Sequence, residues 1–243
     1  TGVDYSRAAF GGCAAPGGAC KVAYAADFAP NDNQRDDNGH GTNVAGIVLG
    51  VAPDARILAL DVFQTTGGAS SNDIIEAINW VIANRAAYTI AAMNLSLGGG
   101  RFNTPCPSDL FATPIANARA AGILAAIASG NNGYKDSMGS PACVPAAVSV
   151  GAVYDYSGIY QGSCTDVAAQ PDKVTCFSNS ASFLTLLAPG ALITAAGIEN
   201  YGGTSQAAPH VAGAIAVLRA AYPTESLDAT VSRLTGTGVP ITD

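Results

Sequence analysis

Apolar residues along this chain fall into two alternating kinds of segment. Short β-rich runs cover Arg56 to Val62, Ile90 to Leu97, Gly122 to Ala128, Ala147 to Val153 and Leu184 to Ala188, each closed by Gly, Pro or polar residues. Between them the period lengthens to that of a helix. In SSNDIIEAINWVIAN, Ile74, Ile75, Ile78, Val81 and Ile82 share one helical face, and Ser70 with Asp73 forms a capping box. Ser108 is placed to cap another helix running towards Ala121, which Gly122 ends. Further helices are expected to begin near His40 and near Ser205, in runs of small residues. Strands alternating with helices imply right-handed crossovers, so the expected fold is α/β, with helices on both faces of a mainly parallel central sheet. Ligands of such folds sit beyond the carboxyl ends of the strands.

Composition narrows this picture. A chain of 243 residues with 49% hydrophobic content can bury one large core, and a single domain over residues 1–243 is expected. The net charge of -7 repels a phosphate backbone or an anionic membrane surface, which argues against nucleic acid or membrane as partner. No apolar run approaches the ~18 residues of a bilayer span. The six cysteines, Cys13, Cys20, Cys106, Cys143, Cys164 and Cys176, include no CxxC pair. Many connectivities are open to six thiols. Short polar or Gly/Pro-rich loops favour Cys13 with Cys20 and Cys164 with Cys176, which leaves Cys106 with Cys143; buried free thiols are the alternative. Disulfides favour an oxidising, extracellular compartment, so a secreted protein is expected.

The chemistry must come from groups at the strand ends. Of two histidines, His40 lies in DDNGHGTNVAGIV and His210 in GGTSQAAPHVAGAIAVL. Ser205 stands at the start of an Ala-rich helix, where N-terminal amides favour a developing negative charge. A nucleophilic serine needs a base. Five residues along a helix turn a side chain by about 140° and raise it roughly 7.5 Å, so His210 projects away from Ser205. That leaves His40, brought in by the fold, and makes His210 a hydrogen-bonded structural histidine. ILAAIASGNNGY places Asn131 just past a buried strand, where a side-chain amide can serve an oxyanion. An Asn in a Gly-rich turn is otherwise simply a turn former.

Four segments, GHGTNVAG around His40, NLSLGGG from Asn94 to Gly100, ASGNNG around Asn131 and GTSQAAPHVAG around Ser205, resemble in order and spacing the signature blocks of subtilisin-like serine proteases. The resemblance runs from Thr1 to about Thr237. It implies that His40 is the general base, Ser205 the nucleophile and Asn131 the side-chain donor of the oxyanion hole. It further implies that Ser96, Leu97 and Gly98 form the edge along which an extended peptide is laid, with Gly67 and Gly68 on the facing segment. Ala128, Ser129, Gly130 and Gly139 resemble walls of the first specificity pocket. Asn43 and Gln206 depart from the pattern, since the family often has His and Met at these positions.

The larger departure concerns the third member of the triad. In the family an Asp at the end of a central strand immediately precedes a Thr-Gly or Ser-Gly pair, and here that pair is Thr1-Gly2. Asp4 matches a second acid beyond the pair, and Asp36 and Asp37 read as loop acids, so none is assigned to catalysis. The expectation is a peptidase domain trimmed at both ends, lacking the central strand and its aspartate, which a pro-segment or a preceding fragment would supply. The implied activity is that of a secreted serine endopeptidase made as a zymogen, acting on peptide or protein substrates with broad specificity. The alternative is a non-catalytic or incomplete domain that binds peptides without cleaving them. No cofactor is required for the chemistry; a structural calcium is expected to be possible, with Asp32, Asp36 and Asp37 as the acidic cluster considered and no ligand set assigned. The small, uncharged pocket residues lead to a preference for a large apolar or otherwise uncharged residue before the cut. A peptide-library scan should show that preference, and strict cleavage after Arg or Lys would overturn it.

Overall fold

The computed structural model describes residues 1–30, 33–64 and 67–241; Asp32 of the acidic cluster lies outside them. Twelve strands are assigned among these residues: β1 (Val22–Asp27), β2 (Ile57–Asp61), β3 (Ala92–Leu95), β4 (Gly99–Phe102), β5 (Leu124–Ala128), β6 (Met138–Ser140), β7 (Val148–Val153), β8 (Gly158–Gln161), β9 (Thr165–Ala169), β10 (Leu186–Pro189), β11 (Ile193–Ala195) and β12 (Ile198–Tyr201). The helices are α1 (His40–Val51), α2 (Ser71–Tyr88), α3 (Ala112–Ala120), α4 (Thr204–Ala221) and α5 (Leu227–Thr237). They build a three-layer α/β/α architecture in which β10, β7, β5 and β3 form a parallel sheet in that order. β1 and β2 form a second parallel pair. The remaining strands make antiparallel pairs, β4 with β6, β8 with β9 and β11 with β12.

Strand β5 shows why the sheet is covered on both sides. All five of its residues are buried. Leu124, Ala126 and Ala128 point into one core with Val211, Ala212 and Ile215 of α4, while Ala125 and Ile127 point into the other with Ile78 of α2 and Ile115 of α3. A period of two on a doubly covered strand therefore reads as an unbroken apolar run. Each fully buried Leu or Ile contributes about 1.5–3 kcal/mol.

The expected strands appear as β2, β3, β5, β7 and β10 with trimmed ends. The expected cap of α2 is present, Asp73 N–H donating to Ser70 Oγ at 3.1 Å. The Ser108 cap is not. Helix α3 begins at Ala112 because Asp109 organises the preceding turn: its carboxylate accepts from Phe111 N–H at 2.9 Å and its carbonyl from Ala112 N–H at 2.9 Å. Strand β1 and the three antiparallel pairs were not foreseen. The disulfides are Cys13–Cys20 and Cys164–Cys176, the two favoured by their short loops, and Cys106–Cys143, the pair that this leaves.

The two parallel sheets do not pair with each other: β2 pairs with β1 and β3 with β5. Both β2 and β3 line a cavity of about 830 Å³, whose wall also carries Val44 and Val48 of α1, Ile74 and Ile78 of α2, Thr1 and His40.

Candidate active site

His40 is the first residue of α1. Its turn is held by Asp36, whose Oδ1 accepts from Asn38 N–H at 3.2 Å and Gly39 N–H at 3.0 Å, and whose Oδ2 accepts from Thr42 N–H at 2.8 Å and from the Thr42 hydroxyl. A carboxylate at a helix N-terminus is favoured by the exposed amides and by the dipole. Asp36 is thus more than a loop acid, and donors already meet both its oxygens, which ill suits a cation ligand. The signal for this role was present in DDNGH, an Asp two and three residues before the amides it receives. Gly41 N–H donates to Thr1 Oγ1 at 2.8 Å, and a Cβ on Gly41 would meet the Gly2 carbonyl oxygen at 2.0 Å, so only glycine permits this approach.

Ser205 lies in the first turn of α4. Pro209, four residues on and inside the helix, has no N–H to give the Ser205 carbonyl. That carbonyl instead accepts the Ser96 hydroxyl at 2.6 Å. Asn94 Nδ2 in turn donates to Ser96 Oγ at 3.0 Å, and Ser205 Oγ faces the Ser96 carbonyl at 3.4 Å. The end of β3 is in this way fastened to the serine that begins α4.

Asn131 joins the same cluster through Thr204. Its Oδ1 accepts from Thr204 N–H at 2.8 Å and from the Thr204 hydroxyl at 3.0 Å, while Gly130 N–H donates to Thr204 Oγ1 at 3.1 Å. Because two donors meet Oδ1, the amide orientation is determined and Nδ2 is the end that Thr204 leaves unengaged. Behind it stands Asn179, fully buried, which sequence reasoning missed. Its Oδ1 accepts from Asn132 N–H at 2.9 Å and Tyr134 N–H at 3.1 Å, and its Nδ2 donates to the Ser129 carbonyl at 3.2 Å. These bonds hold the 129–134 loop in shape. Nothing in FSNSAS marks Asn179 for this work, since all its side-chain partners lie about 50 residues away in sequence.

Ser96, Ser205 and, through Thr204, Asn131 are therefore bonded to one another beyond the ends of β3 and β5, and His40 shares a cavity wall with Ser96. Leu97 lines the same cavity as His40. Gly98 is pressed against β6, where a Cβ would meet the Ser140 carbonyl oxygen at 2.8 Å. Gly67 and Gly68 form an exposed turn, Gln64 N–H donating to the Gly68 carbonyl at 2.7 Å, with Phe63 and Leu97 sharing the cavity wall. Ala128 and Gly139 are buried, Gly130 is half-buried, and Gly139 N–H donates to the Ser129 carbonyl at 2.9 Å. Ser129 is fully buried with its hydroxyl on the Asn179 carbonyl at 2.7 Å, so it holds this wall from behind. His210 lies on α4 with Nδ1–H donating to the Gln206 carbonyl at 2.8 Å, as expected of a structural histidine. Among the described residues a metal-like grouping of Cys106, Asp109 and Cys143 occurs, but its sulfurs form a disulfide and offer no thiolate.

Fold and cluster together define a three-layer α/β protein of the subtilisin-like kind, with a serine, an imidazole and an amide at the strand ends. Residues 1–237 match the subtilase family of peptidases, and the chain belongs to that family. It is 35% identical over 217 residues to Subtilisin E of Bacillus subtilis (strain 168), covering 82% of this chain and 51% of that protein. With the Extracellular serine proteinase of Thermus sp. (strain Rt41A) the identity is 34% over 215 residues, covering 84% of this chain and 47% of the relative. With the Subtilisin-like serine protease Pen ch 13 of Penicillium rubens it is 32% over 231 residues, covering 90% and 50%. The chain thus spans about half the length of these curated relatives. A crystal structure of a cold adapted subtilisin-like serine proteinase superposes with a TM-score of 0.73 at 30% identity, covering 97% of this chain and 77% of the other. No helix among the described residues is long and apolar enough to cross a membrane.

Burial pushes the His40 imidazole below the ordinary value of 6.5, and Asp36 opposes this. Just below pH 6.5 the unfolded chain then binds more protons than the folded one at this position, so His40 contributes a loss of stability as pH falls through that window. The His40 ring protons, followed by NMR, should titrate with a midpoint below 6.5, and a midpoint at or above it would contradict the burial.

Proposed function

We propose that this chain carries most of the active site of a secreted serine endopeptidase. Ser205 Oγ attacks the scissile carbonyl of an extended peptide; His40 takes the proton and returns it to the leaving amine. Asn131 Nδ2 and the Ser205 N–H hold the oxyanion. The observation that carries this reading is the double engagement of Asn131 Oδ1 by Thr204, which leaves the amide's donor end available one residue from the nucleophile. Ser96, Leu97 and Gly98 take the substrate as an added strand opposite Gly67 and Gly68, and main-chain pairing accounts for broad specificity. Ala128, Gly130 and Gly139 accept an uncharged residue before the cut. The chemistry calls for no metal; any calcium would be structural.

We further propose that an apolar strand ending in an aspartate fills the cavity between β2 and β3, with its carboxylate beside His40. Two parallel strands with unpaired edges on one cavity of about 830 Å³ support this, because each stranded backbone group costs about 1–3 kcal/mol. β2 has five residues, so a matching strand would extend roughly 16 Å. A pro-segment or a preceding fragment joined to Thr1 would bring it. The competing reading, a peptide binder that does not cleave, draws on the position of Ser205 Oγ, directed at the Ser96 carbonyl at 3.4 Å.

A serine-directed fluorophosphonate separates the two readings: labelling that disappears in Ser205→Ala supports the enzyme, and no labelling of the parent supports the binder. In the active form, Asn131→Ala should lower turnover by ~10²–10³ with little change in KM, a range itself established on a subtilisin. Adding a five-residue apolar strand ending in Asp ahead of Thr1 should raise turnover by about 10⁴ over the same strand ending in Asn; equal rates would remove the carboxylate from the mechanism.

A further inference from the structure

We propose that the buried amide pair Asn43–Gln206 is a positioning device for the reaction above: it sets the helix bearing His40 in register with the helix bearing Ser205. The inference rests on that proposed reaction. Asn43 stands three residues after His40, and Gln206 directly follows Ser205. Gln206 Nε2 donates to Asn43 Oδ1 at 3.2 Å. Asn43 Nδ2 donates to the Ile193 carbonyl of β11 at 3.3 Å and to the Ile198 carbonyl of β12 at 3.2 Å. Relative exposure is 0% at Asn43 and 1% at Gln206, so neither amide has water to fall back on.

The direction of this chain of donors is forced. Both hydrogens of Asn43 Nδ2 face carbonyls, so Oδ1 must face Gln206, and Gln206 must present its NH₂. One side chain thereby joins α1, α4 and both strands of the β11–β12 hairpin. The same hairpin reaches the turn that starts α1. Tyr201 Oη, from β12, donates to the Asn38 carbonyl at 2.9 Å, and a Cβ on Gly39 would meet Ile198 Cδ1 at 2.9 Å. Around the pair, Ala45 and Val44 of α1 and Ala207, Ala208 and Val211 of α4 are buried apolar residues. Contacts of that kind are not directional. The amide pair supplies the directional contact beside both reacting residues.

The departure from the family's His and Met at these two positions suggests the variants. Gln206→Met keeps an unbranched side chain of similar length but deprives Asn43 Oδ1 of its donor; Asn43→Leu removes the other partner. In the active form each single variant should lose ~10-fold in kcat and in the rate of fluorophosphonate labelling at Ser205, with KM for a peptide substrate unchanged within about twofold. The double variant should be no slower than Asn43→Leu alone, because the bond that Gln206→Met removes is already lost once Asn43 is gone. Assays are made well below the melting temperature of each variant. Lower melting temperatures with unchanged kcat and labelling would make the pair merely structural and overturn the proposal, as would additive losses in the double variant. If the parent itself is not labelled at Ser205, the proposed reaction fails and this inference falls with it; if the parent is labelled and all variants match it, only the inference fails.

Discussion

Helix α4 has to lie buried against the parallel sheet, and the rest of the site depends on that constraint. Thr204, Gln206, Ala207, Ala208, Pro209, Val211, Ala212, Gly213 and Ile215 are all buried, so its first three turns have almost no solvent face. Small side chains let it approach the strands and α1 closely. A helix so placed delivers its N-terminal amides to the strand ends, where partial positive charge can meet a developing anion. Ser205 is half-buried at that terminus because the packing of the following turns leaves it there.

Burial of this kind creates polar debts that the sequence settles locally and at a distance. Pro209 removes one helical hydrogen bond, and the Ser96 hydroxyl takes up the carbonyl that is left. Thr204 uses both its N–H and its hydroxyl on Asn131, and Asn179 supports the loop behind. Asp36 does the same for the start of α1. Apart from the exposed Asn131, these are buried or half-buried groups with partners in place, which is the condition for such groups to be tolerated in a low-dielectric interior. The same condition gives the site its rigidity.

The two parallel sheets share helices but not hydrogen bonds. α1 and α2 both line the cavity between β2 and β3, which is bordered by backbone edges as well as apolar side chains. An apolar cavity lacks partner atoms for its lining, and an unpaired strand edge lacks partners for its amides. The strand proposed above would supply both kinds of partner at once.

Much of this was legible in sequence order. Apolar runs located β2, β3, β5, β7 and β10, Ser70 and Asp73 located the start of α2, and short Gly/Pro-rich or polar loops pointed to two disulfides. These features arise from neighbours in the chain, through side-chain periodicity, capping and loop closure. The positions of His40 and Ser205 at helix starts were readable for the same reason. Strand β1 was not, because VAYAAD lacks a clear alternation and becomes a strand only by pairing with β2. Nor were Asn179 beside Asn131 or the pairing of Asn43 with Gln206 across 163 residues. Local patterning is enough to place the main parallel strands and the residue types at the helix starts. Which buried polar atoms meet depends on packing, since a hydrogen bond between distant residues exists only once water is excluded and both partners are held.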